Sequence, residues 1–202
     1  MTSKEKNFIY IHLPKTGGTS ICHALSKFAT EDYKVHDGKL KKKDTAYRLY
    51  VNGKHFNKHE LLVEVKNRLE GSFYDGAFKF TCVRNPYERV ISHYFWKFET
   101  NEFNRKKFIN FFSGKKKNNP HWGSQKRSVT IENKVEMDYI IKMENIQEDF
   151  NEVCSQLNID KIILPHKNKT NHSHYREYYN ENMKNLVTKW YKEDIEFFKY
   201  NF

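Results

Sequence analysis

A short apolar run, a tight turn and a helix start occur in that order twice in this chain, and the repetition restricts the fold more than any other feature. Residues Phe8 to Leu13 (FIYIHL) are almost wholly apolar, the pattern of a strand buried on both faces of a parallel sheet. Pro14 ends the run, Gly17 and Gly18 permit a tight turn, and Ser20 to Phe28 reads as a helix. The second run, Phe78 to Val83, leads into Asn85 and Pro86, a helix cap followed by proline at the first helical position. Aromatic and aliphatic residues carry that helix to about Phe98. Two such units predict an α/β fold, a P-loop-like parallel sheet flanked by helices, with its ligand site outside the carboxyl ends of the strands.

Elsewhere the pattern is weaker. Leu61, Leu62, Val65 and Leu69 recur at helical spacing and predict a helix from His59 to Leu69. The polar stretch from Ala29 to Asn57 holds one expected strand, Tyr47 to Val51, and Asn101 to Val135 reads as the least regular part, with a helical piece at Phe108 to Phe112. Short strands are expected at Tyr139 to Ile141 and Ile162 to Leu164, separated by a helix carrying Ile146, Phe150, Val153 and Leu157 on one face. Glu177 to Phe198 reads as one long packed helix. No repeat or biased linker divides the chain, so residues 1–202 are expected to form a single domain with a continuous core.

Lys and Arg number 36 against 25 Asp and Glu, a formal charge of +11 that steers anions toward the surface without naming one. Much of the excess lies in the runs Lys41 to Lys43, Arg105 to Lys107 and Lys115 to Lys117, each read first as a solvated face. Cys22, Cys82 and Cys154 cannot all pair and show no metal-binding spacing, which fits a reducing compartment, and Cys22 and Cys82, in apolar segments, read as small buried side chains. No segment approaches the roughly 20 apolar residues of a membrane span, and the first residues lack a signal-peptide core. A cytoplasmic protein without a membrane span is therefore expected.

The segment Pro14-Lys15-Thr16-Gly17-Gly18-Thr19-Ser20 lies between a buried strand and a helix, where paired glycines let backbone N–H groups approach an anion. The helix N-terminus adds partial positive charge, and Thr19 and Ser20 add hydroxyl donors. A nucleotide triphosphatase loop would carry its lysine after the glycines, whereas Lys15 precedes them, so a different activated anion is indicated. In Arg84-Asn85-Pro86-Tyr87-Glu88-Arg89-Val90-Ile91-Ser92-His93-Tyr94, the Arg84 fork and the Ser92 hydroxyl are suited to converge on a second phosphate. Arg89 is assigned a structural ion pair.

Together these segments resemble the sulfotransferase superfamily: its 5′-phosphosulfate loop matches PKTGGTS, and its 3′-phosphate motif matches RxPxxRxxSxY at Arg84 to Tyr94. The likeness is nearest to the branch of heparan-type 2-O-sulfotransferases and other carbohydrate sulfotransferases with small microbial and viral relatives. It extends through Met143 to Phe150, Leu164 to Thr170 and Asp194 to Tyr200. It implies 3′-phosphoadenosine-5′-phosphosulfate (PAPS) as co-substrate, held by Lys15, Thr16, Gly17, Gly18, Thr19, Ser20, Arg84 and Ser92. It also implies 3′-phosphoadenosine-5′-phosphate (PAP) as product, no metal, and the Lys167 to Thr170 loop near the cofactor. Where the family often has Arg, this chain has Lys142.

The acceptor implied is a hydroxyl of a carbohydrate, with no nucleic-acid partner. Lys15 would meet the charge on the leaving oxygen, and the family's base position falls on His55 within Lys54-His55, with His59 and His12 as rivals. Trp122, in His121 to Gln125, is read as a sugar-stacking residue or else as a loop anchor, acceptor contact being favoured. Two other functions fit less well, a kinase-like phosphoryl transferase and a non-catalytic polyanion-binding module.

Overall fold

The computed structural model describes residues 1–29, 49–51, 54–56, 59–113, 122–165 and 173–202. Along the chain lie β1 (Thr2–Ser3), β2 (Phe8–Ile11), α1 (Gly18–Leu25), β3 (Leu49–Val51), β4 (Lys54–Phe56), α2 (Leu62–Lys66), α3 (Gly71–Gly76) and β5 (Phe78–Val83). There follow α4 (Pro86–Phe98), α5 (Arg105–Ser113), β6 (Thr130–Ile131), β7 (Lys134–Val135), β8 (Tyr139–Lys142), α6 (Ile146–Gln156), α7 (Glu181–Trp190) and α8 (Lys192–Phe198).

The two apolar runs are neighbours at the centre of one sheet, ordered β1-β2-β5-β8. β2, β5 and β8 are mutually parallel, with Phe8 opposite Phe78 and Phe80 opposite Tyr139, and β1 adds an antiparallel edge that the sequence did not announce. Side chains alternate across this sheet as strand geometry requires. Phe8, Tyr10, Phe80 and Cys82 pack with Ile21 and Leu25 of α1 and Phe150 and Val153 of α6. Ile9, Ile11 and Val83 face the other way, onto α2, α3 and Phe198. Polar residues on that second face are satisfied in place: the Thr81 hydroxyl donates to the Ile11 carbonyl at 2.7 Å, and the Lys79 ammonium donates to the Tyr74 and Ala77 carbonyls at 3.0 and 2.8 Å. A third, largely aromatic cluster joins α4, α5 and α7 around Tyr94, Phe108, Phe112 and Met183.

α4 has the expected bounds, because the Asn85 side chain accepts from the Tyr87 N–H at 3.1 Å and caps it. Other expectations need correction. The first helix begins at Gly18, two residues early, since Gly17 takes the left-handed cap position. The helix expected over His59 to Leu69 is shorter, limited to α2 at Leu62–Lys66, and α3 is a separate helix beyond its expected end. The first turn of α2 is set by Glu64, which accepts from the Leu61 N–H at 2.8 Å. The strand ending at Val51 pairs with β4 in a separate antiparallel hairpin.

Ile162 to Leu164 is not a strand. The Gln147 amide takes the place of a strand partner, donating to the Ile162 carbonyl at 3.1 Å and accepting from the Leu164 N–H at 2.8 Å. The long C-terminal helix starts later, with Asn180 capping α7, and breaks at Tyr191, whose hydroxyl donates to the Trp122 carbonyl at 2.9 Å.

Phe80 has no exposed surface, so Phe80→Ala is expected to lower stability by about 3–5 kcal/mol in urea unfolding. Ile163→Ala, at a site 80% exposed, is expected to change it by no more than about 0.5 kcal/mol.

Candidate active site

The carboxyl ends of β2 and β5 deliver the two motif segments to one place. In the first, Lys15 and Gly17 adopt left-handed backbone angles, φ 66° and 78°. The Thr16 hydroxyl donates to the Leu13 carbonyl at 3.0 Å and the Ser20 N–H to the Gly17 carbonyl at 3.0 Å, which closes the turn into α1. A Cβ on Gly18 would run into the His12 ring and stand 2.7 Å from the Tyr10 hydroxyl, and one on Gly17 would stand 2.5 Å from the Met143 sulfur. Gly18 is therefore favoured by packing beneath the loop, and Gly17 chiefly by its left-handed backbone. The first turn of α1 has N–H groups without intrahelical acceptors, the usual basis of anion binding at such a position.

Two arginines of the second segment reach back to the first. Arg84 Nη1 donates to the Lys15 carbonyl at 3.2 Å, and its Nη2 pairs with Glu88 at 2.9 Å. Its Nε is buried and has no hydrogen-bond partner among the described residues. Arg89 is 3% exposed and donates from Nε to the Pro14 carbonyl and from Nη1 to the Gly123 carbonyl, both at 3.1 Å. Glu88, which lies one helical turn beyond Arg84, is placed to make the Arg84 ion pair. Ser92 is buried in the second turn of α4.

A buried network fixes Arg84 from behind. The Gln125 amide accepts from the Arg84 N–H at 3.0 Å and donates to the Arg84 carbonyl at 2.9 Å, gripping the backbone of one residue at both its polar groups. Gln125 is itself held by Asp194 of α8, a carboxylate with no exposed surface that accepts from Ser124 Oγ at 2.5 Å, the Gln125 N–H at 2.8 Å and the Lys126 N–H at 3.0 Å. Next door, Glu144 accepts from the Asn85 N–H at 2.7 Å and from the Tyr200 hydroxyl at 3.1 Å. Burial, reinforced by Glu144, pushes that hydroxyl far above the ordinary tyrosine range, so it stays a donor. In the sequence, Gln125 and Asp194 appear only as members of the segments His121 to Gln125 and Asp194 to Tyr200; their work on residues far along the chain leaves no local signal.

Around the loop stand side chains of two kinds. The Lys15 ammonium lies 5.6 Å from the ring centroid of Trp96, which is 51% exposed on α4. Beside Gly18 lies His12, whose carbonyl oxygen is 2.9 Å from His59 Nδ1, and the two imidazoles meet edge to face at 4.8 Å. A carbonyl only accepts, so neutral His59 carries its proton on Nδ1 and its lone pair on Nε2.

His55 lies in β4 opposite Tyr50; its side chain, like Lys167 to Thr170, His121 and the lysine runs at 41–43 and 115–117, lies outside the described residues. Trp122 is only 4% exposed, with its ring 3.7 Å from that of His93 and packed on Phe111, so it anchors the loop and does not offer a face to sugar. All three cysteines are buried and unpaired with one another, and burial pushes the Cys82 and Cys154 thiols up, away from nucleophilic character.

Comparison with known proteins adds an independent finding. The profile of the Sulfotransferase family matches residues 1–201. No curated protein sequence matches the chain. Among solved structures, a sulfotransferase from Alicyclobacillus acidocaldarius aligns over 97% of this chain and 96% of its own, at 13% identity and a TM-score of 0.41. No helix among the described residues is long and apolar enough to cross a membrane, and no group of three or more His, Cys, Asp or Glu among them is arranged to hold a metal ion.

Replacing Asp194 with alanine leaves three donors without their acceptor and is expected to destabilise the protein by about 3 kcal/mol. Faster amide exchange at Arg84 in that variant would show that the clamp depends on α8; exchange unchanged there would show that Gln125 holds the peptide alone.

Proposed function

Because the chain belongs to the sulfotransferase family and is a sulfotransferase enzyme, we propose that it carries a sulfuryl group from PAPS to a hydroxyl of a carbohydrate. The observation that carries the cofactor assignment is the 3.2 Å bond between Arg84 and the Lys15 carbonyl, which puts the two anion-binding segments within reach of one small ligand. In this reading Lys15, Thr16, Gly17, Gly18, Thr19 and Ser20 hold the 5′-phosphosulfate, while Arg84 and Ser92 hold the 3′-phosphate. The buried Arg84 Nε supports the fit, since a donor in that position ordinarily has an acceptor. Glu88, 29% exposed, swings to solvent when a phosphate takes its place on the guanidinium.

Bound PAPS supplies the activated sulfuryl group, whose bond to the 5′-phosphate breaks as the acceptor oxygen attacks sulfur, leaving PAP. Lys15 meets the negative charge that grows on the departing oxygen, a stabilisation realised mainly in the transition state. His55 takes the acceptor's proton, a role suited to an imidazole whose ordinary pKa is about 6.5. A second reading gives that role to His59, favoured by the Nδ1 bond that leaves its Nε2 lone pair as the basic site beside the loop.

Calorimetric titration with PAP, against ATP plus magnesium as control, is expected to show selective binding of PAP that falls by on the order of tenfold or more in Arg84→Ala. Binding of neither nucleotide would remove the cofactor assignment, and magnesium-dependent ATP turnover would replace it with phosphoryl transfer. Turnover should be lost in His55→Ala with PAP affinity near that of the parent. Full activity in His55→Ala, with loss in His59→Ala, would move the base to His59.

A further inference from the structure

We infer that Glu88 is a specificity-determining residue, an internal anion that holds the Arg84 guanidinium when no nucleotide is bound. It yields that guanidinium to the 3′-phosphate of a nucleotide already held at its other end, and not to a free phosphate or sulfate ion. This rests on the assignment of Arg84 to the 3′-phosphate proposed above and adds to it a selection rule and the residue that enforces it.

The first support is the geometry of the pair. Glu88 Oε1, in the first turn of α4, accepts from Arg84 Nη2 at 2.9 Å. In a guanidinium, Nε–H and one N–H of Nη2 point along the same edge and form the fork that receives two oxygens of a phosphate. Glu88 takes the Nη2 half of that fork, and the other half, Nε, is buried with no hydrogen-bond partner among the described residues. Nη1, off this edge, donates to the Lys15 carbonyl at 3.2 Å. A phosphate that fills both halves of the fork displaces the carboxylate, while the bond to the loop stays in place.

The second support is charge. The Arg84 side chain is only 11% exposed, so a guanidinium left unpaired there would be costly. The neighbouring carboxylate does not meet that need, because Glu144 accepts from the Asn85 N–H at 2.7 Å and from the Tyr200 hydroxyl at 3.1 Å. Glu88, 29% exposed, keeps enough contact with water to leave at modest cost. An anion therefore lies on Arg84 whether the site is empty or full.

Selection follows from how each competitor is held. Glu88 is carried four residues from Arg84 in the same chain, so its effective concentration at the guanidinium is on the order of millimolar or above, and a free ion must compete with it unaided. The 3′-phosphate is also delivered intramolecularly once the 5′ end of the nucleotide sits in the loop at 14–20. It brings about two negative charges against the single charge of the carboxylate. The bond from Arg84 to Lys15 keeps the two anion positions within the span of one ligand.

The test is calorimetric titration of the full chain with PAP and with adenosine 5′-monophosphate (AMP), which lacks the 3′-phosphate, each with and without added sodium phosphate. In Glu88→Gln, affinity for PAP is expected to rise by about three- to tenfold while affinity for AMP stays at the parent value. Phosphate at about 10 mM should weaken PAP binding to this variant several-fold more than to the parent, because the uncovered guanidinium takes the ion. Glu88→Ala should move both readings in the same direction, and Glu88→Gln added to Arg84→Ala should move neither. The inference is overturned if Glu88→Gln and Glu88→Ala bind PAP no tighter or more weakly, which would make Glu88 a support for Arg84. It is equally overturned if AMP gains as much as PAP, or if phosphate competes to the same extent against parent and variant. Failure of the parent protein to bind PAP would instead strike the proposed function, so the two failures are told apart in one set of titrations.

Discussion

The hydrogen bond from the Arg84 guanidinium to the Lys15 carbonyl joins residues 69 apart in the chain and turns two separate strand ends into one site. A left-handed lysine is unfavourable on its own, and its carbonyl would otherwise face partly buried surroundings unmatched. Arg84 removes that penalty by donating to it, while Arg89 does the same for the Pro14 carbonyl one residue earlier. Two guanidinium groups, Arg89 buried and Arg84 largely so, thus take the loop's carbonyl side. In the proposed reading, the helix N-terminus and the Thr19 and Ser20 hydroxyls are what it offers to an anion.

That arrangement is held from both sides before any ligand arrives. Beneath it, the Tyr10 and His12 side chains fill the space a side chain at residue 18 would need. Behind it, Asp194, Gln125 and the Arg84 peptide form a chain of bonds whose members are almost wholly withdrawn from water, so each bond is costly to leave unmade. A site fixed in this way needs little ordering when it binds, and more of the contact energy remains for affinity or for the transition state.

The sequence disclosed what is local. β2, β5 and α4 were legible because their apolar runs and the Asn85-Pro86 cap act within a few residues, and the loop at 14–20 was legible because its glycines and its setting agree. What depended on partners far along the chain was not. The antiparallel β1 edge, the Gln147 side chain standing in for a strand at Ile162 to Leu164, and the break at Tyr191 each arise from a contact that periodicity does not record. Trp122 and Trp96 make the same point: one tryptophan looked available in its polar loop and is buried under His93, the other looked like part of a helix face and is half exposed beside Lys15. His55 came from a resemblance alone, and only His59 among the rival histidines could be read with its proton placed.

The parallel sheet has a further effect, on how the protein comes into being. Each central pairing, Phe8 with Phe78 and Phe80 with Tyr139, joins strands separated by long stretches of chain, and Gln125 and Asp194 lie as far apart again. Non-local pairing of this kind delays folding, because loop closure must precede the contacts that reward it. Lys15, Arg84 and Asp194 therefore meet only when nearly the whole chain has been made and collapsed. During synthesis the half-built chain displays its apolar strands without partners, the condition in which a folding intermediate is most prone to aggregate.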